Sequence, residues 1–131
     1  MTPLFRETVT ILNRRAPEDG NGLDVWKKTV LTGCVFVRTT VRSVSGSDVS
    51  IGQTVTVRIP ESPDYHPYQE WKGNMKGFTA SVGDIVVHGK VKEDVNPNNI
   101  RALMGKYESM TVRSVRDNTG LPLGHIHLEG V

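Results

Sequence analysis

One cysteine, eight aromatic residues and no long apolar run set the first limits on this 131-residue sequence. A lone thiol, Cys34, forms no disulfide within its own chain, so nothing calls for an oxidising compartment. Its flanks in "GCVFV" favour a buried, inert side chain over a nucleophile. No apolar stretch approaches the roughly 20 residues that a membrane-spanning helix needs, and "MTPLFRETVT" lacks the basic start and apolar run of a secretion signal. The expectation is a chain made and used in cytoplasm, or assembled from it. A surplus of one charge is also missing: 16 basic residues face 14 acidic ones, spread along the chain. That argues against a dedicated phosphate-binding domain, and pairs such as Arg14-Arg15 and Lys27-Lys28 read as solvated loop or strand-edge charge. No glycine-rich phosphate loop occurs, since "GNG" lies in a turn with no strand-to-helix context.

What the chain does have is valine and threonine, 18 and 12 of them. Both are stiff at χ1 and pack well on a pleated surface, so the composition leans to β-sheet. The length suits one domain over residues 1–131, with a core of small branched side chains. Strand patterns follow in order. "ETVTILN" comes first, then a turn-rich break at "RRAPEDGNG". "DVWKKTVLTG" and "CVFVRTTVRSV" read as two strands divided at Gly33. After a turn at "SGSD" comes "TVTVRIP", with Val55, Val57 and Ile59 on one face. "DIVVHGKV" is a further strand, and "SMTVRSVRDNTGLPLGHIHLEG" reads as two strands around a turn at Asp117 to Gly120. One helix is predicted in "NPNNIRALMGK", capped by Asn96, opened by Pro97 and ended by Gly105, with Ile100, Leu103 and Met104 docking it on the sheet. About seven short strands and one short helix predict a mainly β fold, a small antiparallel barrel or sandwich.

Candidate chemistry is sparse. His125 and His127 alternate on a strand and share a face, as two imidazoles of a metal site would. The cupin arrangement they suggest fails, because Glu129 follows only two residues later and the chain has no second motif. His66, His88 and Cys34 lie far apart without ligand spacing, so no metal and no cofactor are expected. Glu61, Asp64 and Glu70 sit in a long irregular segment, and Glu93 and Asp94 precede the helix, where they favour its positive end. Ser43, Ser45 and Ser47 have turn surroundings and no histidine nearby. The chain reads as non-enzymatic, with no catalytic residues.

The segment from Pro60 to Gly83 is the conspicuous one. It lacks convincing periodicity, whereas unstructured loops beyond about 12–15 residues are uncommon in compact domains. Pro60, Pro63 and Pro67 hold it extended, and it carries four of the eight aromatic residues, Tyr65, Tyr68, Trp71 and Phe78. Two readings compete. The loop folds back to cap an open barrel end, or it projects and packs on another subunit through Tyr65, Tyr68, Trp71, Phe78, Lys72 and Lys76. The proline spacing and the two lysines favour projection.

The order "TVTILNR", "DVWKKTVLTGCVF", "VSIGQTVTVRIPES", a variable loop, "GDIVVHGKV", "NPNNIRAL", "MTVRSVRDNTG" and "HIHLEGV" resembles small phage and prophage proteins of the head-tail connector, or head-completion, group. The resemblance covers nearly the whole chain and rests on arrangement. It implies a small β-barrel with an elongated loop, made in a bacterial host cytoplasm and built into the virion as a ring beneath the portal. The implied partners are copies of itself, portal or adaptor and tail proteins, and DNA passing through the lumen without sequence-specific binding; no membrane is involved. The alternative is a single-stranded nucleic-acid-binding barrel, with Tyr65, Tyr68 and Trp71 stacking on bases and nearby lysines on phosphates.

Overall fold

The computed structural model describes residues 6–16, 24–119 and 124–131, without the side chains at 41, 43, 48, 50 and 51. Six strands close into an antiparallel barrel of order β1-β2-β3-β6-β5-β4. They are β1 (Glu7–Arg15), β2 (Val25–Ser45), β3 (Asp48–Pro60), β4 (Ile85–His88), β5 (Ser109–Asp117) and β6 (His125–Gly130). The mainly β expectation therefore holds, and barrel is the answer to barrel or sandwich.

The expected count of seven strands falls to six because Gly33 bends a strand and does not end one. β2 runs 21 residues without interruption. Gly33 takes φ 70°, and the β1–β2 register shifts between Glu7 and Val9, whose partners are Cys34 and Leu31. Leu31 and Cys34, three residues apart, both meet the interior, so one extra residue has been inserted and the strand turns a corner. β5 does the same at its register shift between Val112 and Ser114, with Val112 and Val115 both facing the core. Each of these two strands pairs at one end with β1 or β4 and at the other with β3 or β6. Two bulged corner strands thus let a twisted sheet close into a barrel.

The interior holds Val9, Ile11, Phe36, Val55, Val57, Ile59, Val86, Met110, Ile126 and Leu128. A second apolar cluster lies outside the wall, where Leu12, Ile85 and Val87 meet Val91 and Leu103. β1 and β4 are therefore apolar on both faces, which explains the unbroken "IVV". The outer cover is α2 (Ile100–Lys106), which seats Ile100, Leu103 and Met104 as its spacing predicts. Its start is shifted: Asn99 takes the cap position, while Asn96 Oδ1 accepts from the backbone N–H groups of Asn98 and Asn99. Gly105 lies inside the helix, and the C-cap is the extended Tyr107.

A second helix was not foreseen. α1 (Tyr68–Asn74) lies within the 60–83 segment. The turn at Asp117 to Gly120 is described up to Thr119, whose N–H donates to Asp117 Oδ1 at 2.9 Å; its last residue lies outside the described residues, as does most of the "RRAPEDGNG" break.

Candidate functional site

Three surfaces come out of this fold: a capped end, an opposite charged mouth, and a ribbon beyond the wall. The capped end is made by the segment from 60 to 83. It closes on itself where Tyr65 bridges Phe78, with His66 N–H donating to Phe78 O at 2.9 Å and Phe78 N–H to Asp64 O at 3.0 Å. Phe78 then enters the barrel core, Tyr65 packs against that core, and their rings lie 5.7 Å apart. Trp71 on α1 is fully buried, with the half-buried Tyr68 ring 6.1 Å away. From β2, Lys27 Nζ reaches the carbonyl oxygens of Met75 and Gly77 at 2.5 and 2.8 Å, holding the end of α1. The segment returns to the wall through a buried polar knot. Asp84 accepts from Asn13 Nδ2, Arg14 N–H and Ser81 N–H, each at 2.9 Å, and Asn13 also donates to Thr79 O at 2.6 Å. Burial pushes the Asp84 carboxyl above the usual carboxylate range, and these donors hold it back.

This geometry corrects the expected projecting loop at 60–83. Of the six residues assigned there to an interface, Trp71 and Phe78 have no exposed ring to offer, because each is already buried in its own chain. Tyr65 is half-buried against the same core. Only Lys72 and Lys76 are exposed. Large apolar rings gain more from a nearby covalently tethered core than from a partner met by diffusion, and for Phe78 and Tyr65 the barrel end supplies that core. The sequence also misleads at Lys27 and Lys28. Adjacent on β2, they face opposite ways: Lys27 staples the inner cap, and Lys28 Nζ reaches the Glu93 carbonyl at 2.8 Å on the outer side.

At the opposite mouth, His88 lies flat on Phe36, with centroids 4.5 Å apart and planes within 4°. Its Nε2 is 2.8 Å from Glu7 Oε2 and its Nδ1 3.3 Å from Glu108 Oε2, while Arg38 bridges Glu108 and Gln53. Burial works against the charged ring, but the bonds to Glu7 and Glu108 prevail and raise its pKa above 6.5. The bond from His88, aided by Arg38, lowers that of Glu108. The histidine contribution to stability is thus complete below pH 6.5 and lost as pH rises through the raised value. The Glu108 contribution is complete above pH 4.5 and lost as pH falls through the lowered one. His88→Gln is expected to lower stability by on the order of 1 kcal/mol near pH 6 and by much less at pH 9. Thermal melts of both proteins across that range check this; equal differences at the two pH values would refute the charge assignment.

The third surface is the outer half of the β2–β3 hairpin. β2 pairs with β1 only up to Cys34, and β3 pairs with β6 only from Val55 onward. Beyond those points, among the described residues, the two strands pair only with each other, through to the pair Ser45 and Asp48 at the tip. Val37, Val44 and Val49 are 44%, 62% and 50% exposed. At about 3.3 Å per residue the ribbon runs roughly 25 Å past the wall. The projecting element is therefore this hairpin, and no residue of it was assigned to an interface from the sequence.

Among the described residues, no group of three or more His, Cys, Asp or Glu could hold a metal ion. His125 and His127 rings sit 6.3 Å apart on the outer face of β6, and His127 Nε2 bonds Glu129 at 3.0 Å. No described helix is long and apolar enough to cross a membrane.

The class these features define is a small closed antiparallel barrel, capped by its own loop at one end and carrying a two-stranded arm at the other. The chain belongs to the family described as "Family of unknown function (DUF6751)", whose model matches residues 4–131. No curated protein and no solved structure matches it.

Proposed function

We propose that the protein is a non-enzymatic structural subunit that assembles with copies of itself, in keeping with the resemblance to phage head-tail connectors, and that its β2–β3 arm makes the subunit contact. The observation that carries this reading is the arm itself. A two-stranded ribbon standing alone is marginal in water, and among the described residues this one has two open backbone edges and exposed valines. The barrel strands close in the order β1-β2-β3-β6-β5-β4, and among the described residues the arm is the stretch in which both strands present an outer edge to a second copy. Repeated head-to-tail, such a contact builds a ring if its rotation closes. Portal or adaptor and tail proteins, and a place in the virion, are the partners and location this reading carries with it. The rival reading, in which loop aromatics stack on single-stranded nucleic acid, is weakened because Trp71 is buried.

The test shortens the arm. Thr40 and Gln53 are a cross-strand pair, so residues 41–52 can be replaced by an Asn-Gly turn that suits a two-residue hairpin. The shortened protein is expected to keep its barrel melting transition and to lose assembly, read by analytical ultracentrifugation at high concentration and by completion of particles. Particles completed at the normal yield would refute the role of the arm.

A further inference from the structure

Outside the arm and the cap, one face of the barrel carries two arginines that pair with no carboxylate among the described residues. On β3, β6 and β5 the residues Arg58, His127 and Arg116 are cross-strand neighbours in a single row. Their sequence neighbours Val57, Ile126, Leu128 and Val115 face the core, so all three point outward. The outer strands of the row stand two inter-strand spacings apart, roughly 9.6 Å, a gap that two extended arginine side chains close over one oxyanion.

Among the described residues neither Arg58 nor Arg116 pairs with a carboxylate, as holds also for Arg101 and Arg113, whereas Arg14 pairs with Asp24 and Arg38 with Glu108. Arg58 Nε is moreover sealed from solvent and has no acceptor. A buried donor left without a partner needs a reason. Drawing this guanidinium outward to an external acceptor gains a hydrogen bond and breaks none. The one carboxylate in the adjoining row of Thr56, Glu129 and Ser114 is turned to His127 Nε2, at 3.0 Å. It orients the imidazole on the strand between those of the two arginines.

We propose that the outer face of β3, β6 and β5 binds the phosphodiester backbone of nucleic acid through Arg58 and Arg116, with His127 between them. Contact is to phosphate, made by guanidinium groups with no Phe, Tyr or Trp platform in the row, so binding is independent of sequence. This face is separate from the arm, and its binding does not require assembly.

The experiment is fluorescence anisotropy of the full chain with labelled single-stranded and duplex oligonucleotides of mixed sequence, from 20 to 200 mM salt as an approximate working range. Arg58→Gln with Arg116→Gln is expected to weaken binding at least about tenfold. It should also flatten the salt slope by about 1.4 for single strands or 1.8 for duplex, two phosphate contacts' worth. Arg116→Gln alone, at an exposed position, keeps the test readable if the double variant folds poorly, and Lys72→Gln with Lys76→Gln on the cap should leave affinity unchanged. Three outcomes would overturn the proposal: no oligonucleotide binding by the unaltered protein, equal binding by the arginine variants, or chemical-shift changes at Arg58 and Arg116 with inorganic phosphate but none with oligonucleotide, which marks an adventitious ion only.

Discussion

Replacing Trp71 with alanine is expected to lower the unfolding free energy by about 3–5 kcal/mol, the range for removing a fully buried large aromatic side chain. The indole is the single buried side chain of the seven-residue α1, so its loss removes what the helix buries. Its Nε1 has no hydrogen-bond partner, so losing the ring sacrifices packing and no polar contact. Lys72→Ala, one residue on but exposed, should fall within about 0.5 kcal/mol of the parent. Urea denaturation of the three proteins reads the difference. A loss below about 1 kcal/mol at Trp71 would mean that the cap is not part of the cooperative unit. The same result bears on assembly: any assembly defect of Trp71→Ala must be interpreted as a weakened subunit, not as a lost contact between subunits.

Gly77→Ala is expected to cost about 2–4 kcal/mol, from left-handed backbone strain and overpacking combined. Gly77 has φ 67°, and a Cβ built there runs into the carbonyl oxygen of Asp64. That oxygen accepts the Phe78 N–H at 3.0 Å, so the intruding methyl also disrupts the bridge that ties the loop shut. The glycine at 73 is the control. A Cβ there meets nothing within 4 Å, and Gly73→Ala in α1 should be neutral or stabilise by about 0.5–1 kcal/mol. Hydrogen exchange at the His66 and Phe78 amides gives the local reading: both should exchange much faster in Gly77→Ala and no faster in Gly73→Ala. Unchanged protection at Phe78 in Gly77→Ala would rule out the proposed closure.

These two residues also show where sequence reasoning stopped. The alternation of Val55, Val57 and Ile59, and the helical spacing of Ile100, Leu103 and Met104, are local patterns, and the structure keeps both. The "YQEWKGN" helix has a single buried residue in two turns, too few to establish a period. Nor does an aromatic ring declare whether its partner is its own chain or another, because the hydrophobic effect has no direction. The arm was hidden for a related reason. "VRTTVRSV" alternates just as a strand inside a sheet would, and period-2 pattern says nothing about how many neighbours a strand has. Lys27 and Lys28 looked like surface charge because their acceptors are backbone carbonyls of residues 75, 77 and 91–93. Carbonyl positions leave no trace in a list of side chains. The Arg58, His127 and Arg116 row required the pairing of three strands that are distant in sequence.

The placement of Cys34 has a practical corollary. The thiol lies on the core side of β2, its pKa is pushed up to about 12 by burial, and it is the only cysteine in the sequence. At neutral pH it is almost wholly un-ionised and shielded from maleimides and other alkylating probes. The native chain is thus a silent background for site-directed labelling. A thiol introduced at position 44, near the hairpin tip, would be the sole reactive group, reporting through a dye or a cross-link where that tip comes to rest.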